Sequence, residues 1–186
     1  MIENFKFRTQ DFTIEPLVKD EYEDCTFDNC NFYGSDLSHI SFRSCTFQNC
    51  DFSLVKLLNT TLSDVKFISC KLLGVQFEVI NPFLLSVGFD NCLLKLAVFN
   101  KLKLKKTHFI NCNLQEAEFS ETDVAESLFD NCDFHRAIFY RTNLEKANML
   151  SSFHYSIDPE TNRIKGAKFS KASVIGLLDK YGIIIK

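Results

Sequence analysis

A large apolar residue returns at every fifth position through most of this chain of 186 residues. The series begins at Phe27, contains one spacing of seven between Phe77 and Leu84, and ends at Met149 after twenty-five positions. A small residue stands two positions before most of them, and all eight cysteines occupy that small position. Because helices repeat about every 3.6 residues and strands every two, a period of five predicts neither element in its ordinary form.

The longer repeat of the chain is twenty residues. The tetrapeptide FDNC occurs three times, at 27–30, 89–92 and 129–132, and its variants FQNC, FISC and FINC fill the intervals. These segments are twenty residues apart, except for one step of twenty-two around Asn81-Pro82. If the two extra residues bulge outward, residues twenty apart lie above one another and form columns.

Three columns are predicted in this way. The first two lie in the core and contain Phe27, Phe47, Phe67, Phe89, Phe109 and Phe129, and Cys30, Cys50, Cys70, Cys92, Cys112 and Cys132. The third, at one corner, contains Asn29, Asn49, Ser69, Asn91, Asn111 and Asn131, whose side chains could bond to their own turn or to the next coil.

The five-residue units, such as CNF, SDL, TDV and TNL, resemble those of the pentapeptide-repeat family, whose pattern is A(D/N)LXX. The resemblance extends over about 22–149. It implies an all-β fold, a right-handed quadrilateral parallel β-helix, in which each pentapeptide forms one side of a square and four form one coil. Adjacent coils of such a solenoid stack at about 4.8 Å, the ordinary spacing of strands.

The chain is thus predicted to have three parts. Residues 1–21 form an irregular N-terminal cap coil, because Pro16 interrupts the small-residue rule while the five-residue phase continues. Residues 22–149 form the β-helix, with a two-residue insertion near 79–83. Residues 150–186 comprise a loop, a last coil, and a C-terminal helix and strand that serve as a dimerisation cap.

The C-terminal cap is predicted to contain a short α-helix, with Ser170 as its N-cap and Gly182 as its C-terminal stop. The ending ASVIGLLDKYGIII resembles that of the quinolone-resistance (Qnr-type) branch of the family. Members of that branch dimerise through this segment, so the resemblance implies a homodimer. The interface candidates are Leu177, Leu178, Tyr181, Gly182, Ile183 and Ile185.

Several classes of function are not supported by the sequence. The net charge of −3 and pI near 5.8 argue against direct nucleic-acid binding. No apolar stretch approaches a membrane span, and no basic segment precedes an apolar run, so a cytoplasmic location is expected. The cysteines indicate core packing rather than disulfides or metal ligands. We expect no catalytic, metal-binding or cofactor-binding residues, no cofactor and no enzymatic activity, since the four histidines have no ligand spacing or matched nucleophile.

Charged residues one coil apart have opposite signs in the second half of the chain. The basic segment KLKLKK at 101–106 precedes the acidic segment at 116–126 by one repeat. The register predicts four sets of inter-coil ion pairs: Lys101 with Glu121 and Arg141, Lys103 with Asp123, Lys106 with Glu126 and Lys146, and Glu116 with Arg136. These pairs indicate a solvated, self-neutralised wall.

Two functional hypotheses remain open. The Qnr resemblance implies a rod-shaped dimer that binds DNA gyrase or topoisomerase IV by mimicking duplex DNA. The nearly balanced total of 24 acidic and 21 basic residues and the absence of long internal insertions count against full mimicry and leave an alternative open, although topoisomerase binding is the preferred specific hypothesis. That alternative is a structural or protein-interaction solenoid with an unrelated protein partner. Both hypotheses describe a non-enzymatic binding scaffold.

Overall fold

The protein is described by a computed structural model of residues 1–184. Thirteen short strands follow one another within this range, and every strand pairs with its neighbours in parallel. They are β1 (Ile2–Glu3), β2 (Lys6–Arg8), β3 (Glu21–Glu23), β4 (Thr26–Asp28), β5 (Ser41–Arg43), β6 (Thr46–Gln48), β7 (Thr61–Ser63), β8 (Val65–Ile68), β9 (Val87–Asp90), β10 (His108–Ile110), β11 (Leu128–Asp130), β12 (Asn148–Met149) and β13 (Lys168–Phe169). Strands β1, β3, β5 and β7 form one sheet, and the other nine form a second sheet.

Paired residues of neighbouring strands are twenty positions apart in the sequence, which is the length of one coil. Phe27 is paired with Phe47, and after the insertion the step becomes twenty-two, with Phe67 paired to Phe89. Isolated parallel bridges continue the same register between the strands, for example from Asp51 to Lys71. The chain is therefore a parallel-strand β-solenoid of about eight coils with almost no helix, and the predicted fold class is confirmed.

Four walls enclose the core, and we name each by its central inward column. Wall A has Phe7, Phe27, Phe47, Phe67, Phe89, Phe109, Phe129, Met149 and Phe169; wall B has Phe12, Phe32, Phe52, Leu72, Leu94, Leu114 and Phe134. Wall C has Leu17, Leu37, Leu57, Phe77, Phe99, Phe119 and Phe139; wall D has Ile2, Tyr22, Phe42, Leu62, Leu104, Val124, Leu144 and Ile164.

Aromatic stacking along the rod axis fills the interior. Consecutive rings of the wall A column are nearly parallel, with centroids 4.7 Å apart for Phe27 and Phe47 and 4.9 Å apart for Phe109 and Phe129. Rings of neighbouring walls meet edge to face, as Phe99 does with Phe109 at 5.9 Å. Both geometries are favourable for aromatic pairs, so the twenty-residue register stabilises the core beyond simple burial.

The column extends one coil further toward the N-terminus than the sequence analysis placed it. Strand β2 pairs with β4, and the Phe7 ring stacks on Phe27 with a centroid distance of 4.5 Å. Residues 1–20 therefore form a coil in register with the next. The Phe5 ring meets the Phe7 ring edge to face at a centroid distance of 4.7 Å.

All eight cysteines are free and buried. Five of the six thiols of the predicted column donate hydrogen bonds to backbone carbonyls of the preceding coil, for example Cys50 to Phe27 at 3.4 Å and Cys132 to Phe109 at 3.3 Å. Burial raises the pKa of Cys45 to about 12, and burial with the neighbouring Cys112 raises the pKa of Cys92 to about 12. Protonated, hydrogen-bonded thiols of this kind pack as small apolar groups and are poor nucleophiles.

Left-handed backbone conformation marks the corners. Among residues 1–184, positive φ occurs at 25 residues other than glycine, including all six of the predicted asparagine ladder. Part of that ladder is closed by side-chain bonds: Asn131 Nδ2 donates to Asn111 Oδ1 at 2.9 Å, and Asn91 Nδ2 to Ser69 Oγ at 3.1 Å. Short polar side chains suit these corners because they tolerate positive φ better than other L-residues.

The insertion differs from the expectation in one respect. Asn81 still follows the twenty-residue step, since its amide donates to the Thr60 carbonyl, whereas Val87 pairs with Val65 across twenty-two. The additional residues thus lie between 82 and 86. Leu84 was predicted to face the core and is 58% exposed, so that prediction was wrong; Leu85 packs against the core instead.

The C-terminal cap is not an α-helix. It contains two 3₁₀ helices, Val174–Leu177 and Asp179–Tyr181, preceded by a turn in which Ser170 Oγ accepts from the Ser173 amide. The Gly176 carbonyl accepts from the Ile157 amide at 2.9 Å, and a Cβ at Gly176 would overlap the Tyr155 carbonyl oxygen. This tight docking on the last coil, in a segment too short to be a stable isolated helix, accounts for the short i→i+3 turns.

Replacing one ring of the wall A column tests how far stacking stabilises the fold. Phe109→Ala should lower the free energy of unfolding by about 3–5 kcal/mol, because it leaves a cavity between two stacked rings. Ile110→Ala, which truncates the adjacent outward side chain, should cost less than about 1 kcal/mol. Denaturant unfolding monitored by circular dichroism measures both, and equal losses would contradict the column.

The buried thiols predict destabilisation at alkaline pH. The pKa of Cys92 is raised from 9.0 in the unfolded chain to about 12, so its contribution to stability is complete below pH 9 and is lost as pH rises toward 12. Thermal unfolding midpoints should therefore fall above pH 9, and the fall should be shallower in Cys92→Ala. An identical slope in the two proteins would show that this thiol titrates normally when folded.

Candidate binding surfaces

Ion pairs do connect neighbouring coils, but of the predicted pairs only that between Lys106 and Glu126 is formed among the described residues. Lys106 Nζ lies 3.8 Å from Glu126 Oε2, and Lys105 Nζ lies 3.4 Å from the other oxygen of the same carboxylate. Two further pairs, Lys95–Glu116 at 3.1 Å and Arg163–Glu145 at 3.0 Å, were not predicted. The walls are thus partly neutralised by surface pairs, each of which contributes little to stability.

The other predicted ion pairs are not formed. Within residues 1–184 no salt bridge joins Lys101 to Glu121 or Lys103 to Asp123. The carboxylate of Asp123 accepts instead from the Ala125 amide and from Asn143 Nδ2. The same range contains no salt bridge at Arg136, Arg141 or Lys146, and Glu116 pairs with Lys95 instead of Arg136. Register alone brings side chains near one another, and local turn bonds then decide where each one points.

Acidic charge is concentrated at the edge where walls A and B meet. We define the A/B edge as two register columns and the corner between them: Arg8, Asp28, Gln48, Ile68, Asp90, Ile110, Asp130 and Leu150 on one side, and Asp11, Asn31, Asp51, Lys71, Leu93, Asn113, Asp133 and Phe153 on the other. Six of these residues are acidic and two are basic, which leaves 18 acidic and 19 basic residues on the rest of the chain. The net negative charge of the protein therefore lies on this edge.

Five of the six edge carboxylates make no salt bridge in the part of the chain that the structure describes: Asp11, Asp28, Asp51, Asp90 and Asp130. Hydrogen bonds hold some of them in place, since Asp28 Oδ1 accepts from Asn29 Nδ2 at 2.9 Å. Such fixed and unpaired charges produce a directed field along the rod.

His154 is held by the carboxylate of Asp133. His154 Nδ1 lies 2.9 Å from Asp133 Oδ1, and Gln115 Nε2 donates to the other oxygen of Asp133 at 2.7 Å. Burial alone would raise the pKa of Asp133, but these hydrogen bonds outweigh burial and lower it. Among residues 1–184 no serine or cysteine is hydrogen-bonded to His154, and no cluster of histidine, cysteine and carboxylate side chains could hold a metal ion.

The C-terminal cap is held to the last coil by a salt bridge. Lys180 Nζ lies 2.7 Å from Asp158 Oδ1 and 2.6 Å from Glu160 Oε2, and Tyr181 Oη donates to Glu160 Oε1 at 2.9 Å. Burial would lower the pKa of Lys180, but the two carboxylates outweigh it and raise that pKa above its usual range. The cap therefore has a defined position on the end of the solenoid.

The predicted dimer residues differ in exposure. Leu177 packs partly against the core, and Leu178 is half-buried. Tyr181, Gly182 and Ile183 are exposed, and Gly182 has the left-handed conformation expected of a stop. Ile184 is 87% exposed, and Ile185 lies outside the described residues. An apolar surface thus remains uncovered on the outer side of the cap.

The family model described as the pentapeptide repeat region matches residues 21–81 and 84–153 of the chain. The protein therefore belongs to the pentapeptide-repeat family. No match was found among curated protein sequences. Among the described residues, none of the helices is long and apolar enough to cross a bilayer.

Solved structures similar to the chain include forms of QnrB1, described as a plasmid-mediated fluoroquinolone resistance protein. One trypsin-treated form has a TM-score of 0.69 and 19% identity, over 100% of this chain and 91% of that chain. A second has a TM-score of 0.51 and 19% identity, over 99% of both chains. At this identity the likeness establishes the shared fold over the whole length.

Sequence reasoning missed the A/B edge and the extra coil at the N-terminus. Both could have been found by aligning the chain in rows of twenty residues and following the outward positions beside each column, not only the inward ones. Such an alignment places Asp28, Asp90 and Asp130 in one column.

Removing the cap salt bridge should loosen the cap. In Lys180→Met, the Ile157 amide, which donates to Gly176, should exchange its hydrogen faster than in the native protein. Lys171→Met is the matched control, because Lys171 lies in the same segment and is exposed without a salt bridge among the described residues. Equal exchange rates in the two variants would contradict the role of Lys180.

The salt bridges of Lys180 should also make the stability of the C-terminal cap depend on pH. The pKa values of Asp158 and Glu160 are lowered from 3.8 and 4.5 by their hydrogen bonds to Lys180. Their contribution to cap stability is therefore complete above about pH 5 and is lost as pH falls below their unfolded values. Protection of the Ile157 amide should follow that acid transition in the native protein and not in Lys180→Met.

Proposed function

We propose that this protein is a dimeric, non-enzymatic binding scaffold whose partner is a type II DNA topoisomerase, DNA gyrase or topoisomerase IV. The A/B edge is the observation that carries this proposal, because the protein presents its net negative charge there along the length of the rod. The similarity to QnrB1 over the full chain supports the choice of partner. The basic DNA-binding surface of a topoisomerase is the kind of surface that an acidic edge would approach.

The edge imitates duplex DNA only in part. Duplex DNA carries one charge per about 1.7 Å, so a solenoid of roughly 38 Å would need on the order of 22 acidic groups to match it. The edge carries six acidic residues and two basic ones. Its charge therefore orients the rod on the enzyme, and the shape of the rod supplies the remaining complementarity.

Dimerisation through the C-terminal cap would extend the rod. Val174, Ile175, Tyr181, Ile183 and Ile184 are exposed apolar residues on the outer side of the cap. Two copies related by a two-fold axis would cover each other's apolar surface at this end. The A/B edges of both copies would then lie on one elongated particle.

A gyrase supercoiling assay, with and without a fluoroquinolone, tests the partner. The native protein should inhibit supercoiling or protect it from the drug. The triple variant Asp28→Asn, Asp90→Asn, Asp130→Asn should need about tenfold more protein, as expected for three exposed charges worth about half a kcal/mol each.

A matched variant separates edge charge from total charge. Asp64→Asn, Glu78→Gln, Glu121→Gln removes the same charge from positions outside the A/B edge. It should act like the native protein in the supercoiling assay. No effect of the native protein at micromolar concentration would refute topoisomerase binding, and equal losses in both triple variants would refute the edge.

The molecular mass of the protein in solution tests the proposed dimer separately from gyrase binding. Ile183→Asp should convert a dimer into a monomer in multi-angle light scattering, because it places a charge in the proposed apolar interface. Ile14→Asp, at an exposed apolar residue of the opposite end, should leave the dimer intact. A monomeric native protein would contradict the proposed assembly whatever its activity toward gyrase.

The second candidate function is a protein-interaction solenoid with an unrelated partner. Outside the A/B edge the 18 acidic and 19 basic residues balance, and salt bridges pair several of them, as a wall without electrostatic preference would require. Such a protein would be inactive in the supercoiling assay and would still dimerise.

A further inference from the structure

The N-terminal end of the rod carries an edge of each sheet. Among residues 1–184, β1 is an edge strand of one sheet and β2 an edge strand of the other, and both lie in the first coil, residues 1–20. In the next coil the Thr26 amide donates back to the Phe5 carbonyl at 2.9 Å. Lys6 lies one coil before Thr26 in the register, so its own amide points away from the rod. Exposed edges of this kind can pair with a strand of another chain.

The outward carbonyl of β2 is occupied by side chains of its own corner. In the next coil the equivalent carbonyl, that of Asp28, accepts from the Thr9 amide of the first coil at 2.9 Å. The Arg8 carbonyl accepts instead from Thr9 Oγ1 at 2.8 Å and from Gln10 Nε2 at 3.1 Å. Because a carbonyl oxygen has two lone pairs, these two bonds leave no acceptor at Arg8 for an added strand.

Wall B of the first coil uses its outward carbonyl in the same way. The Asn31 carbonyl of the next coil accepts from the Phe12 amide at 2.8 Å, so the carbonyl at this position points toward the preceding coil. At the equivalent Asp11 the carbonyl accepts from the amides of Ile14 and Glu15, at 3.3 and 3.2 Å. A local turn thus replaces the bonds that an added strand would make.

Walls C and D lack a free donor where an added strand would need one. On wall C the Lys56 amide donates to the Ser35 carbonyl of the preceding coil at 2.9 Å, and Pro16 holds the same position two coils earlier. Proline has no amide hydrogen. On wall D the Glu21 amide donates to the side chain of Asp20 at 2.7 Å. Each of the four walls therefore has an outward backbone group that is either occupied or missing.

Charge opposes the pairing of two copies at this end. A two-fold axis across the end of the rod reverses the strand direction, so β2 of one copy would run antiparallel to β2 of the other. Lys6 of each copy would then lie opposite Arg8 of its partner, and both side chains are exposed. Opposed side chains of an antiparallel pair are only about 5 Å apart, and like charges at that distance destabilise the pair.

We propose that the first coil protects the N-terminal end of the rod against strand addition, above all by a second copy of the chain. Occupied carbonyls, a proline and two like charges each remove part of what an added strand requires. A rod that paired through its cap at one end and through its strand edges at the other would grow into a filament, because neither contact closes a ring. That consequence rests on the proposed cap dimer, whereas the protection of the edge does not.

The test is made in a background that isolates the N-terminal end. Ile183→Asp removes the proposed cap contact, so that association must arise elsewhere. Thr9→Asn and Gln10→Ala uncover the Arg8 carbonyl and keep residues that suit their positions, since asparagine occupies the equivalent corner at Asn49. Far-ultraviolet circular dichroism and the melting temperature show whether each variant keeps the native fold.

Three charge variants are compared in this background by sedimentation equilibrium. Lys6→Glu sets an acidic residue opposite Arg8, and Lys6→Glu combined with Arg8→Glu restores like charges of the other sign. Lys66→Glu is the matched control, because Lys66 belongs to the same outward column three coils from the end and is exposed.

The average mass of the Lys6→Glu variant should rise to twice that of the Lys66→Glu control as the protein concentration approaches about 0.1 mM. The variant with both glutamates should associate at least tenfold more weakly. Arg8→Glu alone creates the same complementary pair, so it should associate like Lys6→Glu and replaces that variant if it does not fold.

Two results would overturn the proposal. The first is an equal mass of the Lys6→Glu variant and the control at every concentration, which would show that uncovering the edge permits no pairing. The second is equal association of the single and double glutamate variants, which would show that the like charges of Lys6 and Arg8 do not oppose it. Both comparisons are made within one background, so they are valid whether or not the cap joins two chains.

Discussion

Hydrogen bonding between coils is the constraint on which the other features of this protein depend. Amides of one coil donate to carbonyls of the neighbouring coil along every wall, for example from Phe32 to Asp51 at 2.7 Å and from Asp123 to Leu102 at 2.9 Å. These bonds run along the rod, so they fix residues one repeat apart at a single strand spacing. The ring stacks, the thiol column and the asparagine ladder all follow from that fixed register.

The inward half of the structure could be predicted from the sequence because packing constrains it directly. Burial in a narrow core admits one large and one small residue per wall, and that requirement produces the period of five. The prediction failed at Leu84 because the five-residue series was taken to resume at this residue, five positions before Phe89. The bulge at the insertion turns the Leu84 side chain outward instead. It failed at the cap because contacts with Tyr155 and Ile157 override the local preference for an α-helix.

The outward half could be predicted only coarsely. Register places Lys103 beside Asp123, yet the carboxylate bonds to a turn amide of its own coil, since a local bond costs less side-chain entropy than a long ion pair. Packing does not restrict the type of residue at outward positions, so these residues do not repeat at a fixed interval in the sequence. The concentration of acidic charge on one edge becomes visible only when each residue has been assigned to a wall.

The satisfied backbone also limits how the walls can engage other molecules. Strand addition is possible only at the two ends of the rod, and the C-terminal end is covered by the docked cap. Along the length of the rod, the protein can therefore bind other molecules only through its side chains, either charged ones at an edge or apolar ones on a wall.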